Sequence, residues 1–348
     1  MQLFRKKTST IGLDIGTSMI KAARVSLSGD KHVLESYAME PLEEGAIQSG
    51  EIKNPSSLAQ SAVKAMEQCS PNEKYVVVAL PNFAILSEVL TMDLRPKKEM
   101  REAVIVEAER ISPFDMSEVE IDYSVLERNE ETGKMKVLMV AAKQDIILSY
   151  IAFLGEAGLR PLALDVDLFA LTNIFYKNYD IEKHQSSILL DIGTESTVAA
   201  FMQKGIYHSS RDISVAGFSF QRELQSLPEI TPEQIHNILN GHIDEGLDPK
   251  SITKILNIAG KEFANAVSVA SSYFQSSDNV EKVDSIILTG GYAWIPGLAN
   301  ILELRTGAEV IVLDPFINVE YSEELMTGVD IKKLGTTLSV AVGLAIRE

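Results

Sequence analysis

Short apolar segments separated by turn residues recur along this chain, and their spacing predicts both strands and helices. The first segment, residues 11–24, reads IGLDIGTSMIKAAR: an apolar run ends at Asp14, and a Gly16-Thr17-Ser18 turn leads into an alternating stretch. The alternation extends to residue 27 and resumes at residues 32–39 after a turn. We therefore predict three successive strands, with the glycine turn joining two strands rather than a strand and a helix.

The period of the apolar positions divides the rest of the chain into strands and helices. Residues 55–68 and 96–111 place apolar side chains three or four positions apart, as on one face of a helix. Residues 231–240 begin with Thr-Pro-Glu, which is typical of a capped helix start. The other predicted strands are 75–80, 85–92, 119–126, 135–142, 162–166, 197–203, 206–210 and 283–289, and the other helices are 143–157, 168–176, 218–227, 251–275 and 338–346.

The opening segment has a second copy in the other half of the chain. Residues 188–201 read ILLDIGTESTVAAF and match residues 11–24 in register at both Ile positions, Leu, Asp, Gly, Thr and two Ala, at an offset of 188 − 11 = 177 residues. A duplication on this scale predicts two similar halves, each with a DIGT turn.

Composition narrows the class of protein. The 348 residues suit two domains or one bilobed protein, and 45% hydrophobic with 23% charged residues is typical of a globular chain. The net charge of −17 argues against nonspecific binding of nucleic acid or anionic lipid. The basic cluster Arg5-Lys6-Lys7 is followed by no apolar signal segment, so we expect a cytoplasmic protein. A single cysteine, Cys69, excludes an intramolecular disulfide.

The two DIGT turns carry the residue types that bind phosphate and magnesium. Asp14 and Asp191 each stand at the end of a predicted strand, where Mg²⁺ can bind one or two carboxylates together with water and phosphate oxygens. Gly16 and Gly193 permit close approach of a phosphate to the backbone. The hydroxyls of Thr17, Ser18, Thr194 and Ser196 are further donors, and Lys21 adds a positive charge. An ordinary tight turn is the alternative for either copy alone.

A third glycine motif, LTGGYAWIPG at residues 288–297, follows a predicted buried strand. Gly290 and Gly291 lack a Cβ, so a flat nucleoside ring can lie against this backbone. The alternative is a simple turn. For Trp294, packing in the core is favoured over stacking on a base.

In their order along the chain, the two DIGT turns, Gly217, the glycine motif and the terminal LSVAVGLAIRE resemble the actin, Hsp70 and sugar-kinase superfamily. The resemblance implies an α/β, actin-like ATPase fold with two pseudo-symmetric lobes that binds ATP and Mg²⁺. Asp14 and Asp191 are the implied metal residues, and Asp167 is the implied residue that orients the attacking water. His236 stands where many relatives have a lysine. The predicted nucleotide-binding residues are Gly16, Thr17, Ser18, Lys21, Gly193, Thr194, Glu195, Gly217, His236, Gly290, Gly291 and Trp294.

Residues 76–157 are predicted to form a small α+β subdomain inserted in the first half. Its EAV at 102–104, EAERISPF at 107–114 and the residues 118–123 resemble the PilM family of cytoplasmic actin-like proteins in type IV pilus assembly. From the sequence alone, Ser112-Pro113-Phe114 fits a helix stop with a packed ring equally well. The implied subdomains are 1A (1–75, 158–187, 335–348), 1C (76–157), 2A (188–230, 282–334) and 2B (231–281).

This resemblance also implies partners. PilM proteins bind ATP and the N-terminal cytoplasmic peptide of PilN, a bitopic protein of the inner membrane. We accordingly expect contacts with other inner-membrane assembly proteins, membrane contact only through partners, an ability to self-associate, no nucleic acid, and weak or no ATPase activity. The alternatives are an FtsA-like filament-forming division protein, whose relatives extend into an amphipathic membrane helix after the last core helix, and a sugar-kinase-like phosphotransferase.

Overall fold

The structure, a computed structural model, describes residues 9–48, 50–278 and 282–347. The basic cluster at residues 5–7 lies outside this part of the chain. The strands are β1 (Ser9–Ile15), β2 (Met19–Ser28), β3 (Lys31–Pro41), β4 (Ile47–Gln48), β5 (Glu51–Ile52), β6 (Tyr75–Leu80), β7 (Ile85–Asp93), β8 (Val119–Asn129), β9 (Lys134–Lys143), β10 (Arg160–Val166), β11 (Ser186–Ile192), β12 (Thr197–Gln203), β13 (Ile206–Ile213), β14 (Ser285–Thr289), β15 (Glu309–Val312) and β16 (Val319–Tyr321).

Three of the helices, α1 (Pro55–Cys69), α6 (Pro232–Leu239) and α9 (Ile331–Ala345), begin after a residue whose side chain accepts a hydrogen bond from a free backbone amide. Asn54 accepts a hydrogen bond from the Ser57 amide at the start of the first helix. Thr231 and Gln234 form a reciprocal capping box, which confirms the helix start predicted there. The helices are α1 (Pro55–Cys69), α2 (Lys97–Ile111), α3 (Gln144–Glu156), α4 (Asp167–Asn178), α5 (Gly217–Leu224), α6 (Pro232–Leu239), α7 (Pro249–Asp278), α8 (Leu298–Thr306) and α9 (Ile331–Ala345).

Two sheets repeat one arrangement, as the internal repeat predicted. The first has the strand order β10-β6-β1-β2-β3-β16 and the second β13-β12-β11-β14-β15. In the first, β1 is antiparallel to β2 and parallel to β6. In the second, β11 is antiparallel to β12 and parallel to β14. Each DIGT strand is therefore central in its sheet, with its carboxyl end in an equivalent position.

Helices α4 and α9 pack between the two sheets and form a shared core with β2, β6, β12 and β14. The packing is close enough to require glycine. A Cβ on Gly12 of β1 would lie 2.0 Å from the carbonyl oxygen of Ala341 in α9, and one on Gly343 of α9 would lie 2.1 Å from the carbonyl oxygen of Ala170 in α4. The backbones of α9 and its neighbours are thus in direct contact, which fixes the two lobes around a common centre.

The inserted segment forms its own three-stranded sheet, β7-β9-β8, with α2 packed on it around buried Met100, Val104 and Val137. Phe114, after the end of α2, packs against this core, and the Lys143 ammonium lies 5.0 Å from its ring centroid. The sheet also contacts the second lobe, since Ser87 on β7 hydrogen-bonds the Tyr207 hydroxyl on β13.

Helix α8 and several short strands were not predicted, and α7 and α9 are longer than predicted. The segments β4, β5, β15 and β16 have two to four residues each, too few for a visible period. α9 begins at Ile331, seven residues before the predicted start at 338. β16 lies inside the range 282–334 predicted for subdomain 2A but pairs with β3 of the first sheet. Over the described residues, none of the helices combines the length and apolar character needed to cross a membrane.

Candidate functional site

The two DIGT turns face each other across a cleft between the lobes. Both are strand-to-strand hairpins, as the sequence predicted: Gly16 N–H donates to the Met19 carbonyl at 3.1 Å and Gly193 N–H to the Ser196 carbonyl at 3.0 Å. The hydroxyls of Ser18 and Thr194 are 3.1 Å apart and link one turn to the other. Small residues and hydroxyl groups therefore line both sides of the cleft at this point.

One lysine lies among three carboxylates at this position. Lys21 is directly opposite Asp14 in the β1–β2 register, and its ammonium contacts the Asp14 carboxylate at 2.7 Å. Burial alone would lower the pKa of Lys21, but the charge and hydrogen bond of Asp14, with the charges of Asp191 and Asp167, raise it above its usual value. Lys21 therefore stays protonated as a permanent positive charge.

The other two carboxylates are poorly compensated. Burial raises the pKa of Asp191 to about 6, with Lys21 opposing the rise and Asp14 adding to it. Burial, Asp14 and Asp191 raise the pKa of Asp167 well above its usual range. Three carboxylates close to one ammonium leave an excess of negative charge, which a divalent cation would relieve.

The donor set fits a magnesium ion that takes part of its coordination from a ligand. Among the described residues, no group of three or more His, Cys, Asp or Glu side chains is placed to hold a metal on its own. Mg²⁺ commonly binds one or two carboxylates and completes its shell with water and phosphate oxygens. Asp14 and Asp191 suit this mode, while the glycines of both turns leave room for phosphate.

The glycine motif after β14 forms the adjoining wall. Gly290 has φ +87°, and a Cβ there would lie 2.5 Å from the Asp191 carboxylate, so another residue would be strained and would collide. Nothing lies within 4 Å of a Cβ built on Gly291. The open backbone at Gly291 leaves space for a flat ring beside the carboxylates.

The cleft has a volume of about 770 Å³, within the usual range of small-molecule sites. Gly217 and Trp294 do not line it. The Tyr292 ring covers Gly217, whereas Trp294 packs against the core of the second lobe and donates from Nε1 to the Thr336 hydroxyl at 3.2 Å. The predicted residues that line the cleft are Asp14, Gly16, Thr17, Ser18, Lys21, Asp167, Asp191, Gly193, Thr194, Glu195, Ser196, His236, Gly290 and Gly291.

Other lining residues were missed from the sequence. Tyr292 directly follows Gly290-Gly291, and this position beside a predicted nucleotide-binding motif is the feature of the sequence that indicates it. Gln221 and Asn240 lie on the second-lobe side, where Asn240 Nδ2 is 3.2 Å from His236 Nε2. Asn82 lies near the start of the inserted segment and donates a hydrogen bond to the Asp212 carboxylate at 2.8 Å, which links this segment to the second lobe. Gln221 and Asn82 come from distant parts of the chain and belong to no motif.

Comparison with known proteins identifies the family and the fold. The family model described as "Type IV pilus assembly protein PilM" matches residues 12–348. A chain in the solved structure of a PilM-PilN type IV pilus biogenesis complex is 25% identical, with a TM-score of 0.81 over 96% of this chain and 97% of that one.

More distant structures share the fold alone. The ethanolamine utilization protein EutJ from Carboxydothermus hydrogenoformans is 14% identical, with a TM-score of 0.58 over 97% of this chain and 88% of that one. A diol dehydratase-reactivating factor in nucleotide-free form is 8% identical, with a TM-score of 0.55 over 97% of this chain and 98% of that one. The predicted two-lobed, actin-like ATPase fold is confirmed.

Proposed function

The chain belongs to the PilM family of type IV pilus assembly proteins, and on this premise we propose that it is an ATP-binding scaffold for pilus assembly. The proposal rests chiefly on one observation: two glycine turns, three carboxylates and Lys21 converge in one cleft between duplicated lobes. An acidic protein would repel a nucleoside triphosphate unless a bound magnesium ion together with Lys21 made the local field positive.

Different residues of the cleft bind different parts of the nucleotide. The amides and hydroxyls of the two DIGT turns, together with Lys21, bind the phosphates. Asp14 and Asp191 hold the magnesium ion, which supplies charge neutralisation between carboxylates and phosphates. Gly290, Gly291 and His236 bound the space for the base. Asp167, at the start of α4, would orient a water molecule, and we expect slow or absent hydrolysis.

The partner is the N-terminal cytoplasmic peptide of PilN, bound at the inserted subdomain. A PilM-PilN complex contains a chain of similar structure over nearly its full length, and this supports the assignment. PilN would recruit the protein to the inner face of the inner membrane, where contacts with other assembly proteins follow.

Contacts between the insert and the second lobe provide a route for coupling. Ser87 and Tyr207 join β7 to β13, and Asn82 and Asp212 join the start of the insert to the cleft wall. A change in the angle between the lobes therefore alters the position of the insert, because bonds on both lobes hold it. This supports a scaffold in which the nucleotide state sets the surface presented to PilN.

ATP binding is tested by a calorimetric titration of the full chain with Mg·ATP. We expect saturable one-to-one binding that is lost when Asp14 and Asp191 are both replaced by alanine. Asp30→Asn, a change in the exposed β2–β3 turn, should leave the affinity unchanged. Normal ATP affinity in the double alanine variant would contradict the proposal that ATP binds in this cleft.

The partner test is a titration with a synthetic N-terminal PilN peptide against a scrambled peptide. Saturable binding of the native peptide, with an affinity that differs with and without Mg·ATP, is the expected result. No saturable binding would count against the partner, and equal affinity in both conditions would count against the coupling.

A further inference from the structure

The first turns of α9 are hydrogen-bonded to two walls of the cleft. One wall is the glycine motif after β14, and the other is the end of α6. Two residues of α9, Lys333 and Thr336, make these bonds from positions one helical turn apart. The residues of the two walls that line the cleft are Gly290, Gly291, His236 and Asn240.

Thr336 holds the glycine motif. Its carbonyl oxygen accepts a hydrogen bond from the Gly290 N–H at 3.1 Å and another from the Thr289 hydroxyl at 3.2 Å. Its hydroxyl accepts from Trp294 Nε1 at 3.2 Å and donates to the Lys333 carbonyl at 3.0 Å. Because Thr336 is only 2% exposed, water does not compete for these bonds. The glycine motif is therefore fixed to α9 on both sides of Gly291.

Lys333 holds the end of α6. Its ammonium donates a hydrogen bond to the carbonyl oxygen of Asn240, the residue that follows this helix, at 2.5 Å. Carbonyl groups at a helix end lack partners within the helix, and a positive charge there also interacts favourably with the helix dipole. Asn240 is bonded in turn to His236, since its backbone N–H and its Nδ2 donate to the His236 carbonyl at 3.1 and 2.9 Å.

Lys333 acts on the cleft through Asn240 rather than by direct contact. Its side chain is 27% exposed and does not line the cleft. The Asp330 carboxylate lies 4.0 Å from the ammonium, so the Asn240 carbonyl is the closer of the two partners. One turn of α9 thus connects the wall that carries His236 to the wall that carries Gly290.

We propose that Lys333 is a positioning residue for the nucleobase, because it holds the end of α6 at a fixed spacing from the glycine motif. This rests on the proposed function. Without the Lys333 bond, the end of α6 would sample more positions, and a base would bind only the fraction that matches its shape. Apparent affinity falls in proportion to that fraction. Phosphates bound at the DIGT turns would not meet this cost.

The test compares Mg·ATP with magnesium triphosphate, which carries the phosphates without the nucleoside, in calorimetric titrations of the full chain. The variants are Lys333→Met, which keeps an unbranched apolar stem, and Lys332→Met as the matched control. Lys332 is exposed, and its replacement removes the same charge from the same turn of α9. We expect Lys333→Met to bind Mg·ATP about five- to tenfold more weakly than Lys332→Met, with triphosphate affinities within about twofold of each other.

A second measurement needs no ligand. Hydrogen exchange followed by mass spectrometry should be faster in peptides that cover residues 236–242 of Lys333→Met than in the same peptides of Lys332→Met. Peptides that cover residues 15–19 and 192–197 should not differ between the two variants.

Three results would overturn the inference while wild-type ATP binding stands: equal Mg·ATP affinity in the two lysine variants, equal weakening of Mg·ATP and triphosphate by Lys333→Met, or unchanged exchange at residues 236–242. A wild type that binds no Mg·ATP would instead overturn the proposed function and this inference with it.

Discussion

Replacement of Asp191 by asparagine should stabilise the ligand-free protein at pH 7.5 while it abolishes Mg·ATP binding. Burial raises the pKa of Asp191 from 3.8 to about 6, and Lys21 offsets this only in part. Between these pH values the folded protein holds a proton that the unfolded chain has released. The contribution of this group to stability is thus greatest below about pH 4 and is lost as the pH rises through about 6.

The magnitude follows from the same pKa values. At about 1.36 kcal/mol per pH unit, the interval from 3.8 to about 6 gives an upper limit of roughly 3 kcal/mol of destabilisation at neutral pH. Asparagine has nearly the same shape and carries no charge, so the variant should recover about 1 to 3 kcal/mol at pH 7.5. At pH 5 the folded carboxyl is largely protonated but the unfolded one is already ionised, so the gain should be roughly half of that at pH 7.5.

The assay is urea unfolding of wild type, Asp191→Asn and the exposed control Asp30→Asn, each at pH 5 and pH 7.5 without nucleotide. The expected result is a higher unfolding midpoint for Asp191→Asn at pH 7.5, a smaller difference at pH 5, and no pH-dependent difference for the control. A midpoint below wild type at pH 7.5, or a gain that is equal at the two pH values, would refute the reasoning.

Three further predictions concern packing and coupling. Gly12→Ala should lower the free energy of unfolding by roughly 3 kcal/mol or more in thermal or urea unfolding, because the new Cβ would lie 2.0 Å from the Ala341 carbonyl oxygen. Gly155→Ala is the control: nothing lies within 4 Å of a Cβ built there, so this change should be neutral or stabilising. Phe153→Ala should cost about 3 to 5 kcal/mol by urea unfolding, because its side chain is fully buried; a loss below about 1 kcal/mol would contradict this. Tyr207→Phe removes the hydrogen bond to Ser87 of the inserted subdomain and should lower the free energy of unfolding by only about 1 kcal/mol. It should nevertheless reduce the effect of Mg·ATP on the affinity for the PilN peptide. An unchanged effect would argue against coupling through this contact.

The sequence predicted the phosphate side of the site because its residues are close in the chain. Asp14 and Lys21 belong to one hairpin, so strand alternation alone places them opposite each other. The repeat at residues 188–201 then implied a second, equivalent turn. Local periodicity was sufficient for both steps.

The rest of the site depends on contacts between distant segments. Gln221 and Asn82 belong to no motif found in the sequence and reach the cleft through contacts between distant segments, which no local pattern specifies. The first turns of α9 escaped prediction for a related reason. Gly335 there packs against Pro315, and Thr336 is buried, so small and polar residues occupy core positions and hide the apolar period.

The central claim is that both DIGT turns close on one nucleotide. Hydrogen exchange of the full chain, followed by mass spectrometry with and without Mg·ATP, tests it most directly. We predict slower exchange in peptides that cover residues 15–19 and in those that cover residues 192–197, at the same nucleotide concentration. Unchanged exchange in both turns at saturating Mg·ATP, or slowing confined to one of them, would contradict the paired binding of the phosphates.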